Sequence, residues 1–223
     1  MPFFEELHIS TGVTAVIGSG GKSTLLLTLG RELAERGSVL LCTTTRFRPF
    51  PGLPCGHSPA ELWALSSACR LLCAGTALPD GSGKLTALAV PMATLAEHFD
   101  YVLVEADGAK GRPLKAHEAW EPVIPPEASS TIHVLGASGF GQPIARSVHR
   151  PERYALLAGV RETDPATAET EAAVLLAEGL PGPVFVNQAE SEEAFALAKR
   201  LAQQLSRPVM AGSLLQGECR TCW

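Results

Sequence analysis

The stretch that decides the fold is Val13-Thr-Ala-Val-Ile17 followed by Gly18-Ser19-Gly20-Gly21-Lys22-Ser23-Thr24. The first five residues are apolar and β-branched, which suits a buried strand. The glycines that follow allow a tight turn. From Lys22 to Arg36 the chain is rich in Leu, Ala, Glu and Arg, with Leu25, Leu26, Leu29 and Leu33 at helical spacing and Gly37 where a C-cap glycine belongs. Val39–Cys42 is then a second buried strand, ending in Thr43-Thr44-Thr45. Strand, glycine turn, helix and strand make a βαβ unit, which predicts a parallel sheet.

A glycine turn between strand and helix has a chemical use. Its amides can point into one concavity, and the helix N-terminus adds partial positive charge, so the site suits phosphate. Lys22 can reach the β- and γ-phosphates, and the Ser23 hydroxyl can ligate Mg²⁺. The longer Gly-x-x-x-x-Gly-Lys-[Ser/Thr] pattern would need glycine at position 16, where Val16 stands. The shorter form from Gly18 to Ser23 fits, and it resembles the loop of the Mur ligases. A dinucleotide fingerprint fits less well. Its third glycine would fall on Ser23, and the second strand closes on Thr43 rather than an acid.

Outward from this unit, Arg46–Pro59 reads as an irregular loop rich in proline and glycine, and Ser58-Pro-Ala-Glu61 as a capping box. Arg70–Ala74 and Leu85–Val90 read as two strands flanking Asp80–Gly83, and Pro91–Phe99 as a helix. Tyr101–Val104 is a strand that runs into Glu105 and Asp107. Residues 108–127 form a second long loop. Beyond it come strands at Ile132–Leu135, Val184–Val186 and Val209-Met210, and helices at Pro165–Glu178 and Glu192–Leu205. The expected architecture is α/β: a P-loop NTPase-like, three-layer fold with a mostly parallel sheet. One domain over residues 1–223, with loop insertions near 46–59 and 108–127, accounts for it.

Composition bounds the function. The chain has 223 residues, 46 % of them apolar and 18 % charged, with net charge −5. That excludes disorder as the overall state and argues against a nucleic-acid binder that works by bulk positive charge. No window offers about 20 uninterrupted apolar residues, so no membrane-spanning helix is expected. The N-terminus lacks a secretion-signal layout, so a cytoplasmic protein with reduced cysteines is expected. Cys219-x-x-Cys222 is a weak metal signal, with a frayed tail as the simpler reading.

The chemistry then falls to a few positions. Glu105 is the acid expected opposite the phosphates, where it holds Mg²⁺ or its water. Asp107, two residues on, is expected to position water or an acceptor. Thr45, or a neighbouring threonine, can complete the metal shell. Gly18, Ser19, Gly20, Gly21, Lys22, Ser23 and Thr24 form the nucleotide loop, with ATP or GTP as ligand and Mg²⁺ as cofactor.

Val16–Thr24, Thr43-Thr-Thr-Arg46, Val104-Glu-Ala-Asp-Gly-Ala-Lys-Gly-Arg-Pro-Leu-Lys115, Glu121–Pro125 and Val148-His-Arg-Pro151 together resemble the YqeC family. That family is described as accessory proteins for selenium-dependent molybdenum hydroxylases. The resemblance implies a P-loop nucleotide-binding protein that helps prepare the selenium-containing molybdenum centre, with a hydroxylase or its maturation proteins as partners. Two positions depart from the family pattern. Lys22-Ser23 replaces Lys-Thr, an exchange that keeps the hydroxyl. Asn187-Gln-Ala-Glu190 replaces Asn-Lys-x-Asp, so Asn187 and Glu190 can read a guanine edge or simply end a strand. Lys110, Arg112 and Lys115, with Glu118 after them, are candidates for a second anion such as a phosphorylated or pterin-linked substrate, or for a solvated charged loop. His149-Arg150 stays open between a structural and a functional role. A nucleotide-switched scaffold and a Mur-like ligase are the rival activities.

Overall fold

A computed structural model describes residues 2–222. Its centre is a nine-stranded sheet. In chain order the strands are β1 (Gly12–Gly18), β2 (Val39–Thr43), β3 (Cys55–Gly56), β4 (Leu71–Ala74), β5 (Tyr101–Glu105), β6 (Ala128–Gly136), β7 (Val184–Asn187), β8 (Val209–Ser213) and β9 (Glu218–Thr221). They lie in the order β9-β8-β7-β6-β1-β5-β2-β4-β3, and every pairing is parallel except β8 with β9. Parallel strands buried on both faces need apolar residues at every position. Val39-Leu-Leu-Cys-Thr43 and Val184-Phe-Val-Asn187 are buried throughout for this reason.

Alternate side chains of these strands feed two layers of helix. Val39, Leu41 and Phe185 pack on the helix Lys22–Leu33 and on Phe3 and Phe4. Leu40 and Cys42 pack on the opposite face, against the helices Pro59–Ser66 and Met92–His98. On that same face Val184 and Val186 pack against Pro151–Ala158, Ala168–Glu178 and Glu192–Ala202. The result is the mostly parallel, helix-covered α/β sheet that the sequence predicts. No described helix is long and apolar enough to cross a membrane.

Several local expectations are corrected. The strands that flank Asp80–Gly83 are Thr76–Ala77 and Leu85–Thr86, which pair as a hairpin, rather than Arg70–Ala74 and Leu85–Val90. Leu71–Ala74 enters the main sheet beside β2, where Leu72, Cys73 and Ala74 are buried. The freed hairpin pairs instead with Arg46–Phe47 in a small three-stranded flap. The helix from Lys22 ends at Leu33, and Gly37 is not its left-handed cap. A Cβ on Gly37 would lie 2.6 Å from the Asp100 carboxylate, so the position needs glycine for space. Glu61 accepts from the His57 amide rather than closing a capping box onto Ser58. Glu218–Thr221 is an edge strand, not a frayed tail, with Cys222 buried just beyond it. Trp223 lies outside the described residues.

Candidate functional site

The carboxyl ends of the parallel strands share one edge of the sheet, where ligands bind in open α/β folds. Val16 pairs with Glu105, Thr43 with Glu105, Gly18 with Val134 and Gly136 with Asn187. The glycine loop rises from that edge. Gly18, Gly20 and Gly21 all have positive φ. At Gly20 the crowding is severe: an added Cβ would lie 2.2 Å from the Gly136 nitrogen and 2.8 Å from the Pro113 carbonyl. Only glycine lets the loop pass beneath the segment that carries Arg112 and Pro113. The Ser19 hydroxyl donates to the Arg112 carbonyl, so this side chain braces the loop. Ser23 and Thr24, at the start of the helix, are exposed.

Lys22 is only 5 % exposed. Its ammonium donates to the Gly18 carbonyl at 2.7 Å and ion-pairs with Asp107 at 2.9 Å, with Glu105 at 4.0 Å. Asp107 is wholly buried and is the hub of the site. Its Oδ2 accepts from the Gly18 amide (2.8 Å), from His117 Nε2 (2.7 Å) and from Lys115 Nζ (3.2 Å). Burial alone would raise its pKa, but Lys22, His117 and Lys115 hold the carboxyl well below the usual carboxylate range. The carboxylate is thus committed to Lys22, His117, Lys115 and the Gly18 amide and does not line the cleft, whereas the sequence reading has it position water or an acceptor.

From Asp107 a buried polar chain runs on. His117 Nδ1 meets Glu178 at 2.8 Å, and its ring packs edge-on against that of His133 at 5.4 Å. Burial opposes a charged His117, but the bonds to Asp107 and Glu178 outweigh it and raise its pKa. His133, fully buried and with no partner for either nitrogen among the described residues, is held neutral. Lys115 is also fully enclosed, between Asp107 and Glu121. Burial lowers its pKa to about 8 against the pull of Asp107.

The surroundings of Glu105 are simpler. The Ser23 hydroxyl donates to Glu105 at 2.9 Å, and burial raises the Glu105 pKa, with Lys22 and Ser23 offsetting only part of this. The Thr43 hydroxyl donates to the Glu105 carbonyl, and Thr45 lies 3.4 Å from Thr43, oxygen to oxygen. Among the described residues no three His, Cys, Asp or Glu side chains are grouped to hold an ion alone. Mg²⁺ needs no such cage, because it keeps waters and takes one or two protein ligands plus phosphate oxygens. A hydroxyl and a desolvated carboxylate side by side at the loop fit that donor set.

Above these groups opens a cleft of about 1240 Å³. Gly20, Gly21, Lys22, Ser23, Thr24, Thr45 and Glu105 line it, and so do Lys110 and Arg112. Lys115 and Glu118 do not, and Glu118 makes no ion pair among the described residues. Asn187 does not present its amide to a base. It donates to the Gly20 carbonyl at 2.8 Å and accepts from the Leu214 amide at 3.1 Å, so it ties the loop to β8. Glu190 is exposed and accepts from Ser213 at 2.6 Å. Arg150 lines the cleft and pairs with Glu121. Sequence reasoning missed His117 and Glu178 in the buried chain, and Arg48, Lys84 and Trp120 on the cleft wall; it quoted Glu121 and Arg46 only within matching segments, without these roles. Glu178 lies 61 residues from His117 in the chain, with no periodic signal linking them.

Comparison with known proteins adds one consistent result. The family model described as "YqeC protein" matches residues 14–152, which include the glycine loop, Glu105, Asp107, Lys115 and His117. A relative from Escherichia coli (strain K12), described as "Uncharacterized protein YqeC", is 32 % identical over 157 residues. The aligned stretch covers 66 % of this chain and 61 % of the relative's length.

Proposed function

The chain belongs to the YqeC family, and from that premise we propose that it is a Mg²⁺-dependent P-loop protein that binds ATP or GTP and cleaves or transfers the terminal phosphate. The observation that carries the reading is the pairing of Ser23 with Glu105 at 2.9 Å, at the mouth of a loop whose lysine sits between them and Asp107. Loop amides and the helix N-terminus favour a triphosphate there. Lys22 neutralises charge that develops on the γ-phosphate. Ser23 and Glu105, with Thr45 beside them, would hold Mg²⁺, which supplies charge neutralisation on the β- and γ-oxygens when bound. Asp107 sets the position of Lys22 through the ion pair and of the loop through the Gly18 amide. Asn187 keeps Gly20 in place from the other side.

The wider role, in maturing the selenium-containing molybdenum cofactor of hydroxylases, rests on the family resemblance and not on the geometry. Titration calorimetry with ATP and with GTP, each with and without Mg²⁺, tests the biochemical part. Mg²⁺-dependent binding that disappears in a folded Lys22→Ala variant is the expected result. Wild-type protein that binds neither nucleotide would overturn the proposal.

A further inference from the structure

We infer that the part of the cleft away from Asn187 is a chamber for a second ligand, a planar ring that carries a phosphate or similar oxyanion. The inference rests on the nucleotide reading above, since it places this ligand beside a filled phosphate loop.

Charge is the first ground. The cleft is lined by seven of the chain's 18 lysines and arginines but by only two of its 23 acidic side chains, Glu105 and Glu121. In a protein of net charge −5 that is a strong segregation. Among the described residues Arg46, Arg48, Lys84, Lys110 and Arg112 pair with no carboxylate although they share one cleft. Like charges gathered without partners repel one another, and an anionic ligand relieves this. Arg46, Arg48 and Lys84 belong to the flap or its hairpin, and no role in holding the triphosphate falls to them.

The aromatic wall is the second ground. Trp120 lines the same cleft and is 72 % exposed, with the Arg150 guanidinium 5.6 Å from its ring centroid. Arg150 is already paired with Glu121, so what the wall offers a ligand is the exposed indole as a stacking surface.

Position is the third. The Thr44 hydroxyl donates to the Val123 carbonyl at 2.6 Å, and the Val123 amide donates to the Ala106 carbonyl at 2.8 Å. These bonds tie the Trp120 loop to the ends of β2 and β5, next to Glu105 and the flap. Asn187 and Leu214 lie across β1, on the β7 and β8 side. The aromatic wall and the flap cations therefore flank the phosphate end of a bound nucleotide, away from the strands that carry Asn187 and Glu190. At about 1240 Å³ the cleft exceeds an ordinary single-ligand pocket of roughly 300–1,000 Å³.

The test uses the whole chain loaded with Mg²⁺ and a non-hydrolysable ATP analogue, with naphthyl phosphate as probe and naphthol as its phosphate-free control, read by calorimetry. Saturable binding of naphthyl phosphate is expected to be about tenfold tighter than that of naphthol, the scale of one charge-assisted pair. The double variant R46Q/R48Q should erase that difference and leave the affinity for the ATP analogue unchanged. Trp120→Ala should weaken both probes alike. The inference fails if loaded protein binds neither probe, if the probe competes with the nucleotide, or if R46Q/R48Q loses nucleotide as strongly as it loses naphthyl phosphate. Repeating the titration on Lys22→Ala separates the two readings. Naphthyl phosphate retained there supports a chamber independent of the loop, even if the wild type binds no nucleotide. Its loss there shows that the probe was occupying the phosphate loop.

Discussion

At the scale of single residues, the site is organised by Asp107, because one buried carboxylate answers two lysines, a histidine and a loop amide. Removing it leaves Lys22 and Lys115 buried without their counter-charge. Asp107→Ala should therefore cost about 3–5 kcal/mol of stability, as for other broken buried pairs, measured by urea denaturation. His117 gives a pH signature. Its pKa is raised above 6.5 because the bonds to Asp107 and Glu178 outweigh burial, so the folded state holds its proton more tightly than the unfolded chain. The stability this adds is complete below pH 6.5 and is lost as pH rises through the raised value. The advantage of wild type over His117→Gln in urea midpoint should shrink across that window. An advantage that grows with pH would mean that His117 is held neutral.

The glycine loop shows how an element can be legible in chemistry and yet silent on its cause. Gly-Gly-Lys-Ser between a strand and a helix points to phosphate from sequence alone. That Gly20 must be glycine because Gly136 and Pro113 press against it is visible only in the fold. Gly20→Ala requires both a positive φ and a backbone displacement. It should abolish nucleotide binding while the far strands β2 and β4 keep their amide-exchange protection. The flap teaches the converse. Leu85–Val90 has strand-like residues, but only Leu85–Thr86 pairs, in the flap, while Leu71–Ala74 takes the place beside β2.

Over the whole molecule, a cationic cleft sits in an anionic protein, so net charge and local charge predict opposite salt effects. If the cleft governs encounter, the association rate of a nucleoside triphosphate should fall as salt rises from about 0.01 M to 0.15 M, where the Debye length shrinks from roughly 30 Å to 8 Å. If the charge of −5 governed, screening would speed association. Stopped-flow mixing at several salt concentrations decides between them.

What the sequence determined by itself was whatever local pattern controls. Apolar runs gave the parallel strands, spacing gave the helix after Lys22, and glycines next to Lys22 and Ser23 gave the tight turn between them. The acid at the end of β5 could be placed opposite that turn because β-strand ends in a parallel sheet share an edge. What only the tertiary structure decided was which polar groups meet across long separations. Lys115 and Lys110 look alike in one charged run, yet one is sealed against Asp107 and the other lines the cleft. Asn187 looks like a base reader and is a brace for Gly20. Trp120 and Arg46 share a cleft though 74 positions apart. Side-chain burial and partnership depend on how strands from distant parts of the chain are ordered in the sheet, and no local spacing encodes that order.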